Sequence, residues 1–250
     1  MSRLLILLTF LAAAGSASAQ NNTVFISQGK IEYERSTNVY AQISKDDEGE
    51  WSELQKKTTT HFKTAYFDLL FNRSKCLYRP GRESNDKDNS LFMIQAPAQS
   101  NIIYSDLDNA KGISQKNIFE DLFLVQDSLR KIKWKITTET RNIAGFSCRR
   151  ANAIIMDSIY VVAFYTDEIL TSGGPECFTG LPGMILGVSM PHEHVSWFAT
   201  KVEAISVPDN QLAPPAKGEK TDIANLTKTV QKSMKDWGKE GKRYLRAALL

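Results

Sequence analysis

Ile132-Lys133-Trp134-Lys135-Ile136-Thr137 alternates apolar and polar residues without a break, and related patterns follow at Phe146 to Ile155 and Ile159 to Thr166. Successive side chains of an extended chain point to opposite faces, so a period of two reads as strands with one wet face. Asn142-Ile143-Ala144-Gly145 and Met156-Asp157-Ser158 supply the turns between these strands, and Met184 to Met190 and Val195 to Val207 continue the series. Upstream, Lys30-Ile31-Glu32-Tyr33-Glu34-Arg35 alternates in the same way. Ala65 to Tyr78 is rich in aromatic and branched residues, and Asn101 to Ser105 and Ile118 to Gln126 are further strand candidates. Regular strands with short polar turns, and no strand–helix–strand repeat, predict a mainly β fold. The expected form is a curved antiparallel sheet, a half-barrel-like meander, with a C-terminal helix.

The helix is expected over Thr221 to Ala248, where Ile223, Leu226, Val230, Met234 and Trp237 recur at three or four residues. Gly238 and Gly241 weaken it by about 1 kcal/mol each relative to Ala. Its many lysines read as a solvated face. A shorter helical pattern covers Gly49 to Thr58, and the Pro214-Pro215 stretch before the long helix reads as a linker.

The first residues stand apart from this pattern. A basic start at Arg3, an apolar run from Leu4 to Ala14 and the small residues Ala17-Ser18-Ala19 have the order of a secretory signal peptide, with cleavage expected before Gln20. The division expected is therefore a signal peptide over 1–19, a β domain over 20–207, a linker over 208–219 and a helix over 220–250. After signal removal no apolar run reaches the ~20 residues needed to span a bilayer, so no transmembrane segment is expected. The chain has 250 residues, with 31 Lys+Arg against 28 Asp+Glu. That balance argues against nucleic acid as a partner, and the length supports a core without disulfide or metal staples.

Gly173-Gly174-Pro175-Glu176-Cys177-Phe178-Thr179-Gly180-Leu181-Pro182-Gly183-Met184-Ile185-Leu186 lies between two strong strands. Its glycines and prolines fix a compact loop. No phosphate-cradling Gly-x-x-x-x-Gly-Lys is present. Leu181, Ile185 and Leu186 are expected to turn inward, and Ser172 to Thr179, without such anchors, to be the exposed part. Glu176→Ala is accordingly expected to cost no more than about 0.5 kcal/mol.

Gly180-Leu181-Pro182-Gly183-Met184-Ile185-Leu186 resembles the signature that names the GLPGLI family of exported Bacteroidota proteins. Gly145-Phe146-Ser147-Cys148-Arg149-Arg150-Ala151, Ala163-Phe164-Tyr165-Thr166-Asp167-Glu168-Ile169 and Gly174-Pro175 are similar to its other motifs, in the same order. The resemblance covers about Trp134 to Glu203, with a fainter fit at Phe67 to Asn72. Met184 stands where Leu is usual, and Cys177 at a position not generally cysteine. The family has no established activity, so the resemblance implies an exported, β-rich protein. It singles out Gly174, Pro175, Gly180, Leu181, Pro182, Gly183, Met184, Ile185 and Leu186 as the binding or signature loop.

Cys76, Cys148 and Cys177 are candidate disulfide partners in an oxidising envelope, with one left over and no preferred pair. A catalytic thiol at Cys177 would need a base, and only His61, His192 and His194 are available. His192 and His194, two apart, can share a face and reach one metal, but structural and catalytic zinc sites take three or four protein ligands. Surface histidines are therefore expected, and no cofactor, with a transition metal at this pair as the lesser reading. No complete catalytic constellation is recognisable. The function expected is a periplasmic or otherwise exported, non-catalytic protein that binds a hydrophobic ligand or an outer-membrane partner. The alternative is a metal-handling protein or hydrolase centred on His192 and His194.

Overall fold

The computed structural model describes residues 25–43, 53–54, 56–57, 59–84 and 98–250. The expected signal peptide and most of the 49–58 pattern lie outside these residues. The strands are β1 (Gly29–Asn38), β2 (Phe62–Phe71), β3 (Lys75–Pro80), β4 (Ile102–Asp106), β5 (Lys111–Ile118), β6 (Asp121–Ser128), β7 (Lys135–Ile143), β8 (Phe146–Ile155), β9 (Ile159–Thr166), β10 (Met184–Met190), β11 (Val195–Glu203) and β12 (Glu219–Thr221). They form one open, curled sheet in the order β12-β6-β5-β4-β3-β2-β1-β11-β10-β9-β8-β7. Two antiparallel meanders, β1 to β6 and β7 to β11, are joined by the pairing of β1 with β11. The expected mainly β, antiparallel architecture is what is found, with one exception: β12 runs parallel to β6.

Alternation sets the two faces. In β1, Ile31, Tyr33 and Arg35 point inward and are buried. The same face carries Phe67 and Leu69 of β2, Cys76 and Tyr78 of β3, and Trp197 and Ala199 of β11. β10 is buried along almost its whole length, because the end of β7 covers its outer side. There Arg141 lies 4.7 Å from the Phe198 ring, and Ile143 packs at Gly187. Burial on both faces explains the near-continuous apolar run Met184 to Met190.

The C-terminal region differs from a single helix after a linker. Residues 208–219 are mostly exposed but are pinned to the outside of the sheet: Leu212, with Val207 just before the segment, is buried against Leu70, Leu77 and Tyr104. Asp209 is held there by Lys75 at 2.6 Å and Asn72 at 2.8 Å. The expected helix is two helices, α2 (Ile223–Ser233) and α3 (Gly238–Ala248), after a four-residue α1 (Val39–Gln42). The break spans Met234 to Trp237, and Gly238, which opens α3, has a left-handed φ of +54° that does not continue the preceding helix. Asp222 caps α2 by accepting the amide of Asn225 at 2.7 Å. Leu226, Val230 and Met234 then bury a second, smaller core against Ile118, Phe123 and Val125.

The turn between β5 and β6, the turn between β10 and β11, and α1 all lie at the same end of the sheet, as the pairings require. α3 spans this rim. Its Tyr244 stacks on Phe119 at 4.9 Å, Arg246 pairs with Glu193 at 2.6 Å, and Arg243 donates to the Gln42 carbonyl.

Candidate functional site

The glycine-rich loop enters the curl of the sheet instead of standing on its surface. Gly173, Gly174, Pro175, Glu176, Phe178 and Thr179 are buried, and Glu176 is only 1% exposed. The expectation that Ser172 to Thr179 is the exposed part is therefore corrected. Its anchors are Phe178, packed edge-on against Trp197 with ring centroids 6.1 Å apart, and the loop's own backbone. The Tyr33 hydroxyl donates to the Ile185 carbonyl at 2.6 Å, and the Trp134 indole donates to the Thr179 carbonyl at 2.9 Å. Leu181, Met184, Ile185 and Leu186 are buried as their apolar character requires. Gly183 is needed at its position: φ is +138°, and a Cβ there would stand 2.1 Å from the Thr166 carbonyl oxygen.

A tight turn closed by the Phe178 amide donating to the Pro175 carbonyl at 3.1 Å carries Glu176 to the inner face. Glu176 adopts φ +49°, a conformation that costs a non-glycine residue energy. Asn101 donates to its Oε2 at 3.1 Å. Ile102 pairs with Gln115, so Asn101 stands level with Lys116 across β4 and β5. On β1, Arg35 lies directly opposite Trp197 of β11, with its guanidinium 5.4 Å from the indole ring. Arg35 Nη1 donates to the Ala98 carbonyl at 3.1 Å. Arg130, on the crossing from β6 to β7, donates from Nη2 to the Leu249 carbonyl at 2.7 Å. Tyr78 of β3 completes the ring of groups beside the carboxylate.

These groups are poorly satisfied. Six buried side-chain polar atoms lack a hydrogen-bond partner among the described residues: Arg35 Nε, Tyr78 Oη, Lys116 Nζ, Arg130 Nη1, Glu176 Oε1 and Trp197 Nε1. All six belong to this one site. The Tyr78 hydroxyl lies near both the carboxylate and the Trp197 indole, yet neither approach reaches hydrogen-bond geometry. Burial pushes the Glu176 carboxyl above its usual range, against the pull of Lys116, Arg35 and Asn101. Burial likewise pushes the Lys116 ammonium below its usual range, with Glu176 opposing. Because the folded state holds the Glu176 proton more tightly, this carboxyl favours folding most at acid pH. That contribution is lost as pH rises from the usual 4.5 through the higher folded value. In urea titrations across pH, the difference between wild type and Glu176→Gln is expected to show this fall; a difference that is flat or of opposite slope would refute the assignment.

The other residues singled out in the sequence do not join the site. His192 and His194 are exposed on a 3₁₀ turn (Pro191–Glu193) at the rim, and the Glu193 between them pairs with Arg246. Among the described residues no three His, Cys, Asp or Glu side chains are grouped to hold a metal ion. His192→Ala combined with His194→Ala is expected to leave the melting temperature and any retained zinc or copper unchanged. Stoichiometric metal lost in the double variant would reverse this reading. His61 stacks between Tyr40 and Phe62. Cys76, Cys148 and Cys177 are all free thiols, so no disulfide pairing is found. Burial raises all three, Cys76 and Cys148 to about 12, which opposes a thiolate. Only Cys177 lies beside the polar site, as the neighbour of Glu176.

Residues 154–187 match the Porph_ging family, described as a protein of unknown function. The matched stretch runs from the end of β8 through β9 and the loop into β10, and so includes Glu176. No curated protein matches. Two solved structures of PNGF-II are similar. The form in the C2 space group has a TM-score of 0.53 and 17% identity, over 83% of this chain and 33% of that chain. The P21 form has a TM-score of 0.54 and 17% identity, over 83% of this chain and 34% of that chain. The chain thus spans about a third of the length of PNGF-II, and the likeness is one of fold.

Proposed function

We propose that this chain is an exported, non-catalytic binding protein of the cell envelope whose ligand is recognised at the polar site beneath the signature loop. Export is supported by the ordered basic, apolar and small-residue regions of 1–19 and by the resemblance to the GLPGLI family. Binding rests on one observation: every unpartnered buried side-chain polar atom among the described residues converges on a single site. Folded proteins pair such groups, and a concentration of exceptions at one place calls for a functional explanation. A polar ligand fits better than the hydrophobic one expected from sequence. The inner face is filled by Phe178, Leu181 and Leu250, which leaves donors and not apolar walls in need of a partner. Binding is favoured over turnover because the groups assembled are mostly donors, and the nearby Cys177 thiol is held protonated.

The test has two parts. N-terminal sequencing of envelope material is expected to begin at Gln20, and Met1 or Ser2 would remove export. The small-molecule fraction of an envelope extract is expected to raise the melting temperature of the purified full chain, with the active substance recovered unchanged after heating. A chemically altered product would make the protein an enzyme, and an extract without effect would remove the binding reading.

A further inference from the structure

We infer that the polar site takes an oxyanion, a carboxylate or phosphate group, that carries an adjoining hydroxyl or amine; this rests on the site being a binding site at all. The inventory of unpartnered atoms sets the polarity. Arg35 Nε, Lys116 Nζ, Arg130 Nη1 and Trp197 Nε1 can only donate, Tyr78 Oη can do either, and Glu176 Oε1 accepts. The complement of such a set is rich in acceptors.

Charge gives the same answer independently. Arg35 and Lys116, 7% and 3% exposed, face one carboxylate, and Arg130 adds a third cation beside Lys116 and Cys177. Water could satisfy hydrogen bonds here but would leave the excess of buried positive charge uncompensated. The excess survives any sharing of a proton between Lys116 and Glu176, since two guanidiniums remain. A carboxylate or phosphate matches guanidinium donors in geometry as well as sign. Glu176 would repel a bare anion, so its free oxygen selects one bearing a donor.

The site touches a cleft at one residue, and it carries a cost. Arg130 belongs both to the cluster and to an open cleft of about 400 Å³, which Lys131, Ile132, Ile154, Met156 and Asp157 help to line. Two non-glycine residues flanking the cluster, Glu176 at φ +49° and Ala98 at φ +69°, are held in the left-handed region. Glu176 supplies the carboxylate and Ala98 the carbonyl that aims Arg35. Strain of this kind persists where the surroundings over-determine it, commonly at ligand sites.

Calorimetric titration of the full chain at low ionic strength with lactate, glycerol 3-phosphate and glycerol tests this. At least one anion is expected to bind and glycerol to stay silent, and the anion that binds tells carboxylate from phosphate. Arg130→Gln and Lys116→Met are each expected to weaken that binding by about tenfold or more. Arg130 is half-buried at the cleft, so its variant keeps the test open if Lys116→Met fails to fold. Glycerol binding as tightly as the anions, with the same loss in Arg130→Gln, would overturn the anion and leave a binding site. No anion binding, or anion binding indifferent to both substitutions, would overturn the anion and the site together.

Discussion

Glu176→Ala is expected to destabilise the protein by about 3–5 kcal/mol, and adding Lys116→Met is expected to recover most of that loss. Burial opposes the charged form of Glu176, so the carboxylate with its cations is a weak source of stability. Removing the carboxylate alone is different. Lys116, 3% exposed and already without a hydrogen-bond partner, then lacks any counter-charge from the loop. Asn101 loses its acceptor as well. Replacing Lys116 with an apolar side chain of similar length removes the stranded ammonium, and it sits close to Phe123, its cross-strand neighbour. Urea denaturation of the two single variants and the double variant gives the coupling between the residues. Strictly additive losses would mean that Glu176 and Lys116 do not share a site. A loss within about 0.5 kcal/mol for Glu176→Ala would return the loop to the surface, where its sequence alone had placed it.

That placement failed for a physical reason. Ser172 to Thr179 carries only one large apolar side chain, Phe178, and periodicity does not operate in a loop so rich in glycine and proline. What buries it is tertiary: a turn that inverts at Glu176 and an aromatic contact with Trp197, which lies nineteen residues beyond Phe178 in the chain. The same site hid a strand. β5 carries Ser114 and Lys116 on the face where its neighbours carry Ile103 and Val125, so Lys111 to Asn117 does not alternate and was not legible as strand. The strands with apolar inner faces, β8, β9 and β10, match the sequence reading to the residue at both ends. Local rules break at Lys116 and Glu176 because those positions are polar where the fold asks for apolar residues, as expected where a site has been built into a core. Lys116 offered no signal of its own, while Glu176 stood inside the one loop whose composition drew attention.

Leu186→Ala is expected to destabilise by about 2–5 kcal/mol, while Leu170→Ala, on the same connection, stays within about 0.5 kcal/mol. The two leucines lie at opposite ends of the loop, and exposure separates them: 0% for Leu186 and 51% for Leu170. Pairing of β10 with β9 is irregular between Ile185 and Gly187, and this bulge falls at Leu186. An extra residue at a bulge bends the strand and shifts the alternation. Here it follows the turn that Gly183 permits, and Met184, Ile185 and Leu186 are all buried in succession. Next along the strand, a Cβ on Gly187 would meet the Phe198 ring at 2.7 Å, so the packing beside Leu186 has little room to relax. Truncation should therefore leave a cavity, placing the cost in the range of other core leucines. The substitution lies ten residues from Glu176 and removes none of the six unpartnered atoms, so a variant that still folds should keep the proposed ligand response. Leu186→Ala with unchanged stability but lost ligand response would make the signature a recognition element in its own right. Lost stability with ligand response retained is the result expected of an architectural corner that carries a site on its preceding turn.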